Sequence, residues 1–446
     1  MKMQLFESFR LKFEKSDWSK NPEFGLIDTI LDEHPSLIRL AESDVMKGNV
    51  QSDFGRKDTP SVEQIVRAAL YKEIKGLDYR ELEYAQTDSR ICEQFVKLDN
   101  REPFSFQLFQ KYISKISEHT LQSILLQLNK IAIEQGLEDV EKLRQDSTVV
   151  ATNIHYPTNN SLVWDCIKEC HRLLSHLSEE VKDLGYRDYT KDAKKTFFKI
   201  NNTKSGDKRI DLFNKQLITF TKCINQVSNV IKKKPGCSIA ALALMSSLVK
   251  LLPLMEQVYE MTQRREIQGE TVPNDQKIFS IYELHTDIIV KGSREVQFGH
   301  KINLTSGKSN LILSCEVVKG NPADSTLYQN AIDKIIADYG IVPRDSATDG
   351  GYASKANAEY AQSKGIVNIV FNKIVGSLKN ITSSKNMETR LKKWRSGMEA
   401  VISNFKRGYN MFCCNWKGES HFRQKVLWST IAYNIRVMTA AVLALI

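Results

Sequence analysis

Three short stretches carry side chains suited to a metal ion and a phosphodiester. The first is Arg395-Ser-Gly-Met-Glu399-Ala-Val-Ile402-Ser-Asn-Phe-Lys406. Read as one helix, it stacks Arg395, Glu399, Ile402 and Lys406 on a single face, because i, i+4, i+7 and i+11 fall within one stripe. A carboxylate between two cations is an odd stripe for an apolar core. It suits a site where the carboxylate ligates Mg²⁺ and the cations neutralise phosphate oxygens. Mg²⁺ usually takes one or two carboxylates plus substrate phosphate, so other segments must contribute. Leu143-Arg144-Gln145-Asp146-Ser-Thr-Val-Val-Ala-Thr152 is a β-branched run carrying Asp146. Asp349 ends the segment Gly340–Asp349 and stands against Gly350-Gly351. Glycine there lets the chain turn sharply and lets a substrate backbone come close.

Composition sets the frame for these candidates. At 446 residues the chain is long for one core, so two or three domains are expected. Hydrophobic residues at 41% and charged residues at 26% are ordinary for a soluble globular protein. A net charge of +10 suggests a polyanionic partner, nucleic acid before membrane surface, although many soluble proteins are this basic. Met1–Ser8 is too short and too charged for the apolar region of a signal peptide. The apolar run Val426–Ile446 is interrupted by Asn434 and Arg436, which favours a closing core helix over a membrane span. Eight cysteines without a secretory signal read as reduced thiols in a cytosol. Cys166, Cys170 and His171 lack an evident fourth zinc ligand and read as packing, as does Cys413-Cys414.

The elements that must position the candidates follow from caps and periodicity. Helices are expected over Leu26–His34, from Ser61 to Gly76, from Asp78 to Ala85, and over Phe106–Ile116 with Ser105 as cap. Another runs over residues 118–135 and stops at Gly136. Short helices with Gly and Pro breaks suit a helix-turn-helix type of domain or a plain packing bundle. Gln107, Gln110 and Lys111 are the polar side chains to test for base or phosphate contact. The strand with Asp146 ends near Ile154. Helical patterns follow at Cys166–Leu177, Asp211–Lys233 and Ser238–Arg264, with a basic loop, Arg187–Arg209, suited to DNA, a second subunit or solvent. Strands return at Lys277–Gly292, Val296–Thr305 and Asn310–Lys319. Glu283, His285 and Asp287 alternate onto one face there, which suits a metal site but is expected of a half-solvated strand first. Asp324 or Ser325 is expected to cap a helix reaching Tyr339, and Ser354 another. A strand at Ile366–Phe371, a basic loop at Lys373–Thr389 and the Glu399 helix complete the order.

In this order and with these neighbours, Asp146, Asp349 and Glu399 resemble the catalytic triad of bacterial insertion-sequence transposases of the DDE class. Asp349-Gly-Gly-Tyr352 resembles that family's second-aspartate motif, and Arg395-x3-Glu399-x6-Lys406 matches most of its glutamate signature. Lys392 stands where the signature has tyrosine. Phe298-Gly-His300-Lys301 and Gly320-Asn-Pro-x-Asp324 also resemble the family. The resemblance implies an α/β, RNase H-like mixed sheet with flanking helices over 138–164 and 277–446. It implies an all-α N-terminal DNA-binding domain over 1–130 and a helical insertion over 165–276, placed earlier than the family's usual position. It further implies two Mg²⁺ ions, with Mn²⁺ as a substitute, since three clustered carboxylates need cations. Asp146 would bridge them, Asp349 and Glu399 would hold one each, and Arg395 and Lys406 would contact phosphates. The implied partners are double-stranded DNA, as terminal inverted repeats and target, and a second copy in a homodimer on DNA. No membrane is implied, and the location is cytoplasmic and nucleoid-associated. The implied reaction is cut-and-paste transposition: hydrolysis at the element's ends, then strand transfer. Two other readings stay open: a metal-dependent nuclease of the same fold that never joins ends, and a non-catalytic DNA-binding relic.

Overall fold

The computed structural model describes residues 18, 21–47, 59–99, 101–182, 184–204, 206–233, 238–290, 296–374 and 377–444. The readings on Met1–Ser8, on Lys291-Gly292 and on Leu445-Ile446 lie outside them. The chain divides into two compact units, Met1–Ala151 with His300–Ile446, and Thr152–Gly299.

Among the described residues the first unit opens with eight helices: α1 (Pro22–Glu33), α2 (Ser36–Arg39), α3 (Glu42–Met46), α4 (Val62–Lys75), α5 (Tyr79–Asp88), α6 (Arg90–Phe95), α7 (Phe106–Ile113) and α8 (Glu118–Glu134). Local chemistry fixes several ends. Ser61 and Gln64 close a reciprocal capping box on α4, and Gly76, at φ 68°, ends it in the left-handed region. Asp78 and Glu81 do the same for the start of α5. Ser105 does not act as expected. It precedes α7 without a side-chain bond to it, and the Phe106 N–H donates instead to Glu83 Oε2 at 2.9 Å.

Strand β1 (Lys142–Thr152) follows α8. In this unit the sheet neighbours run β4-β3-β1-β5-β6, with β3 (Gln297–Ser306), β4 (Ile312–Val318), β5 (Asp345–Asp349) and β6 (Asn368–Asn372). β1–β5 and β5–β6 are parallel and β3–β4 is antiparallel, so the sheet is mixed. The short β7 (Cys413–Cys414) pairs with β1. Helices α13 (Tyr328–Tyr339), α14 (Lys355–Ser363), α15 (Lys385–Arg395), α16 (Gly397–Gly408) and α17 (Glu419–Leu443) complete the unit.

Four expectations are corrected here. Asp324 caps no α-helix; it opens a 3₁₀ turn, Asp324–Leu327, and Leu327 precedes α13. Ser325 lies inside the same turn. The expected loop up to Thr389 ends at Ser384, whose hydroxyl caps α15 at Met387 N. The stretch Arg395–Lys406 is two helices rather than one, broken at Ser396.

One apolar cluster joins the N-terminal helices to the sheet, from Phe24, Ile65 and Leu128 through Leu143 and Ile312 to Trp428 and Met438. The expected boundary near residue 130 is therefore not marked by a gap in the core. Helix α17 is apolar and long enough to cross a membrane by composition, yet most of that window is buried in the unit. Its polar interruptions have partners. Asn434 Nδ2 donates to Ile312 O at 2.8 Å and its Oδ1 accepts from Ile312 N at 2.9 Å, satisfying buried backbone of β4. Arg436 pairs with Glu23 of α1 at 2.6 Å.

The second unit is built on α9 (Asn159–Glu180), α10 (Thr190–Asn201), α11 (Asp207–Lys233) and α12 (Ile239–Thr262), which share their own apolar core. The expected basic loop Arg187–Arg209 contains a helix, α10. A buried hub explains its seating: Asn160 Nδ2 donates to Phe197 O at 3.0 Å and to Asn201 Oδ1 at 2.8 Å. Of the expected strand Lys277–Gly292, the described part pairs only at β2 (Asp287–Ile289), against Gln297–Gly299. Glu283 and His285 form a buried pair at 2.8 Å instead of lining a half-solvated strand. Helix α12 with its π-helical extension, Ile239–Ile267, also meets the length and composition of a membrane span, and is largely unburied.

Candidate active site

Sheet register brings the two aspartates together. Parallel pairs run from Lys142↔Asp345 to Gln145↔Thr348. Asp146 and Asp349 are each the next residue, so they occupy matching positions on adjacent strands, about 4.8 Å apart by strand spacing. Their carboxylates are held alike. Asp146 Oδ1 accepts from Ser147 N at 2.8 Å, and Asp349 Oδ1 accepts from Gly350 N at 2.8 Å. This turns the Oδ2 atoms toward α15.

There they meet Arg395. Its Nη2 lies 2.6 Å from Asp146 Oδ2 and 3.8 Å from Asp349 Oδ2, and its Nη1 lies 3.2 Å from Glu399 Oε1. The arginine side chain is 7% exposed, while Asp146, Asp349 and Glu399 are 17%, 44% and 72% exposed. A buried cation thus gathers three carboxylates that themselves reach solvent. Glu399 sits in the first turn of α16, where a carboxylate also meets the positive helix end.

The break at Ser396 has a tertiary cause. Arg144, two residues before Asp146 and so on the same strand face, is fully buried. Its Nη1 donates to Trp394 O at 3.0 Å and its guanidinium lies 4.9 Å from the Trp394 ring. It also donates to Asn310 Oδ1. Burial pushes its pKa below the ordinary value. A Cβ at Gly397 would run into this guanidinium. Consecutive inward residues of β1 therefore hold Trp394 and Arg395, and a glycine must follow.

Gly350 is equally constrained. A Cβ there would lie 2.7 Å from the backbone oxygens of Asn372 and Lys373. At Gly351 a Cβ would meet Asp324 Oδ2 at 3.2 Å. Asp324 is a fourth carboxylate at the site. Its Oδ1 accepts from Ser147 Oγ at 2.9 Å and from the buried Lys301 Nζ at 3.1 Å. Tyr352 is buried, and its hydroxyl donates to Asn303 Oδ1 at 3.0 Å. Burial first, then the negative field of Asp324, Asp146 and Asp349, raises its pKa.

Other predicted residues stand elsewhere. Lys406 lies about two helical turns beyond Glu399, its Nζ 5.4 Å from the Phe412 ring centre. Lys392 pairs along α15 with Glu388 at 2.6 Å. Gln107, Gln110 and Lys111 are exposed on α7. Arg144, Ser147, Lys301 and Asp324 were not assigned from sequence. Their signal was adjacency: each stands within two residues of Asp146 or in the Phe298–Lys301 and Gly320–Asp324 motifs. In the second unit, Cys223 Sγ approaches His171 Nε2 at 3.8 Å. A hydrogen bond with Cys170, then one with His171, holds the Cys223 thiol below its ordinary range. Among the described residues no three His, Cys, Asp or Glu side chains stand at metal-binding spacing. The Asp146–Asp349–Glu399 donors are the all-oxygen set a hard divalent ion takes, but their present spacing is that of a guanidinium.

Residues 289–435 match the family model described as Transposase DDE domain, about a third of the chain. The match takes in Asp349, Arg395 and Glu399, and register adds Asp146 from outside it. No curated protein and no solved structure matches the chain. The match over residues 289–435 to a transposase DDE domain supports the resemblance to DDE-class transposases.

Proposed function

We propose that this protein catalyses cut-and-paste transposition of an insertion sequence, hydrolysing phosphodiesters at the element's ends and joining the freed ends to target DNA. The observation that carries the reading is the convergence of Asp146, Asp349 and Glu399, from β1, β5 and α16, on the single buried guanidinium of Arg395. All three are acceptor-only groups when ionised, and all reach solvent. They are the residues that would hold Mg²⁺, two ions in our reading, with Mn²⁺ as a substitute. Bound divalent ions would neutralise charge on the attacking and leaving oxygens of an in-line displacement.

The chain's own residues supply position. Ser147 N and Gly350 N fix one oxygen of each aspartate and leave the other facing the site. Gly350 and Gly351 keep side-chain bulk out of the approach to Asp349. Arg395 and Lys406 are assigned to phosphates near the cut, and Gln107, Gln110 and Lys111 to the element's terminal repeats. The exposure of all three on one face of α7 supports that assignment. Double-stranded DNA is the partner, and a homodimer would bring two ends together.

The test is an assay with Mg²⁺ on DNA carrying the sequences that flank the gene. Cutting at the ends followed by joining to a second duplex is the expected result. Cutting without joining would assign a nuclease, and specific binding without cutting a relic.

A further inference from the structure

Arg395 stands where the carboxylates converge, and its own hydrogen bonding is incomplete. Its Nη atoms serve Asp146 and Glu399 at 2.6 and 3.2 Å and approach Asp349 at 3.8 Å. Its buried Nε has no hydrogen-bond partner among the described residues. Three ionised carboxylates against one guanidinium leave the cluster with two negative charges in excess. Asp146 Oδ2, the oxygen facing the site, is taken up by the shortest of these contacts. A cation bound to that oxygen and the Arg395 guanidinium would compete for the same lone pairs and repel each other.

We infer that Arg395 is a built-in competitor of the divalent ion at Asp146 and Asp349, so that metal loading and release of Arg395 toward a phosphate are one linked step. This rests on the site reading above and adds an order to it. A phosphodiester drawing Arg395 away raises affinity for the ion, and the ion raises affinity for the phosphodiester by the same factor. The released guanidinium regains planar, two-pronged bonding on phosphate, which a lysine would not reproduce. Neighbouring groups favour this exchange over collapse of the site. Trp394 O stays fixed by Arg144, and Asp146 and Asp349 stay fixed by Ser147 N and Gly350 N. Arg395 can therefore move while the backbone that carries it remains held.

The test is Mn²⁺ binding to the free full-length protein, read as loss of the free-ion paramagnetic resonance signal. Arg395→Gln keeps much of the side-chain volume and removes the charge. It is expected to bind Mn²⁺ about tenfold more tightly than wild type, the scale of one charge-assisted bond. Arg395→Lys, a point charge on a different stem, should fall between the two and serves if the glutamine variant does not fold. Asp146→Asn should lose the site in either background. Equal or weaker binding by Arg395→Gln, with binding still lost in Asp146→Asn, would overturn the competition and keep the site. Binding unchanged in Asp146→Asn would overturn the site reading itself.

Discussion

Two ionic clusters in the first unit use the same side-chain types to opposite ends. In one, Glu73 of α4 is 2% exposed and sits between Lys72 of α4 and Lys425 of α17. Its Oε1 accepts from Lys72 Nζ at 3.0 Å, and its Oε2 accepts from Lys425 and, at 3.1 Å, from Ser429 Oγ. Everything is enclosed and the carboxylate is saturated. In the other cluster the cation is enclosed and the carboxylates are open. A closed carboxylate among cations ties helices together; open carboxylates around one cation can exchange that cation. The difference lies in which partner faces water, and it decides which cluster can act on a substrate.

Substitutions should separate the two. Glu73→Gln leaves two buried lysines uncompensated and should cost about 3–5 kcal/mol of stability in urea denaturation. Glu399→Gln, at an exposed position, should stay within about 0.5 kcal/mol of wild type. A comparable loss in both would erase the contrast. Gly397→Ala should cost about 1–3 kcal/mol, because the Arg144 guanidinium must give way. It should also raise metal affinity by shifting Trp394 and loosening Arg395, the ion's competitor, from Asp146.

Acid should act on the closed cluster. Despite burial, Lys425 and Lys72 lower the Glu73 pKa from 4.5 to about 2. The unfolded chain then binds more protons than the folded one in that interval. Glu73's contribution is full above pH 4.5 and is lost as pH falls toward about 2. Wild type should lose stability through that window more steeply than Glu73→Gln. The smallest effect belongs to Lys392→Ala, which removes an exposed pair with Glu388 and should change stability by about 0–1 kcal/mol.

The parts legible in sequence were those set by local chemistry. The Ser61–Gln64 and Asp78–Glu81 boxes and Gly76 predicted the ends of α4 and α5, because caps are short-range bonds. Asp349-Gly-Gly was legible because the close approach of Asn372 and Lys373 demands Gly350. The break after Arg395 was not, since its cause is Arg144, some 250 residues away in sequence. Asp324 looked like a helix cap and instead holds Ser147 and Lys301, two long-range partners no spacing reveals. Lys277–Thr286 had strand composition, but among the described residues no strand pairs with it, and β-propensity without a partner gives no ladder. The Arg187–Arg209 charges read as a loop, but Ala193 and Ile200 anchor a helix on an apolar core.

The central claim is that Glu399 acts with Asp146 and Asp349 on DNA. The most direct measurement compares wild type with Glu399→Gln for Mg²⁺-dependent cleavage of flanking-sequence DNA, alongside binding to the same duplex. Cleavage by wild type alone, with binding nearly equal, is the predicted result. Cleavage retained by Glu399→Gln would contradict the account.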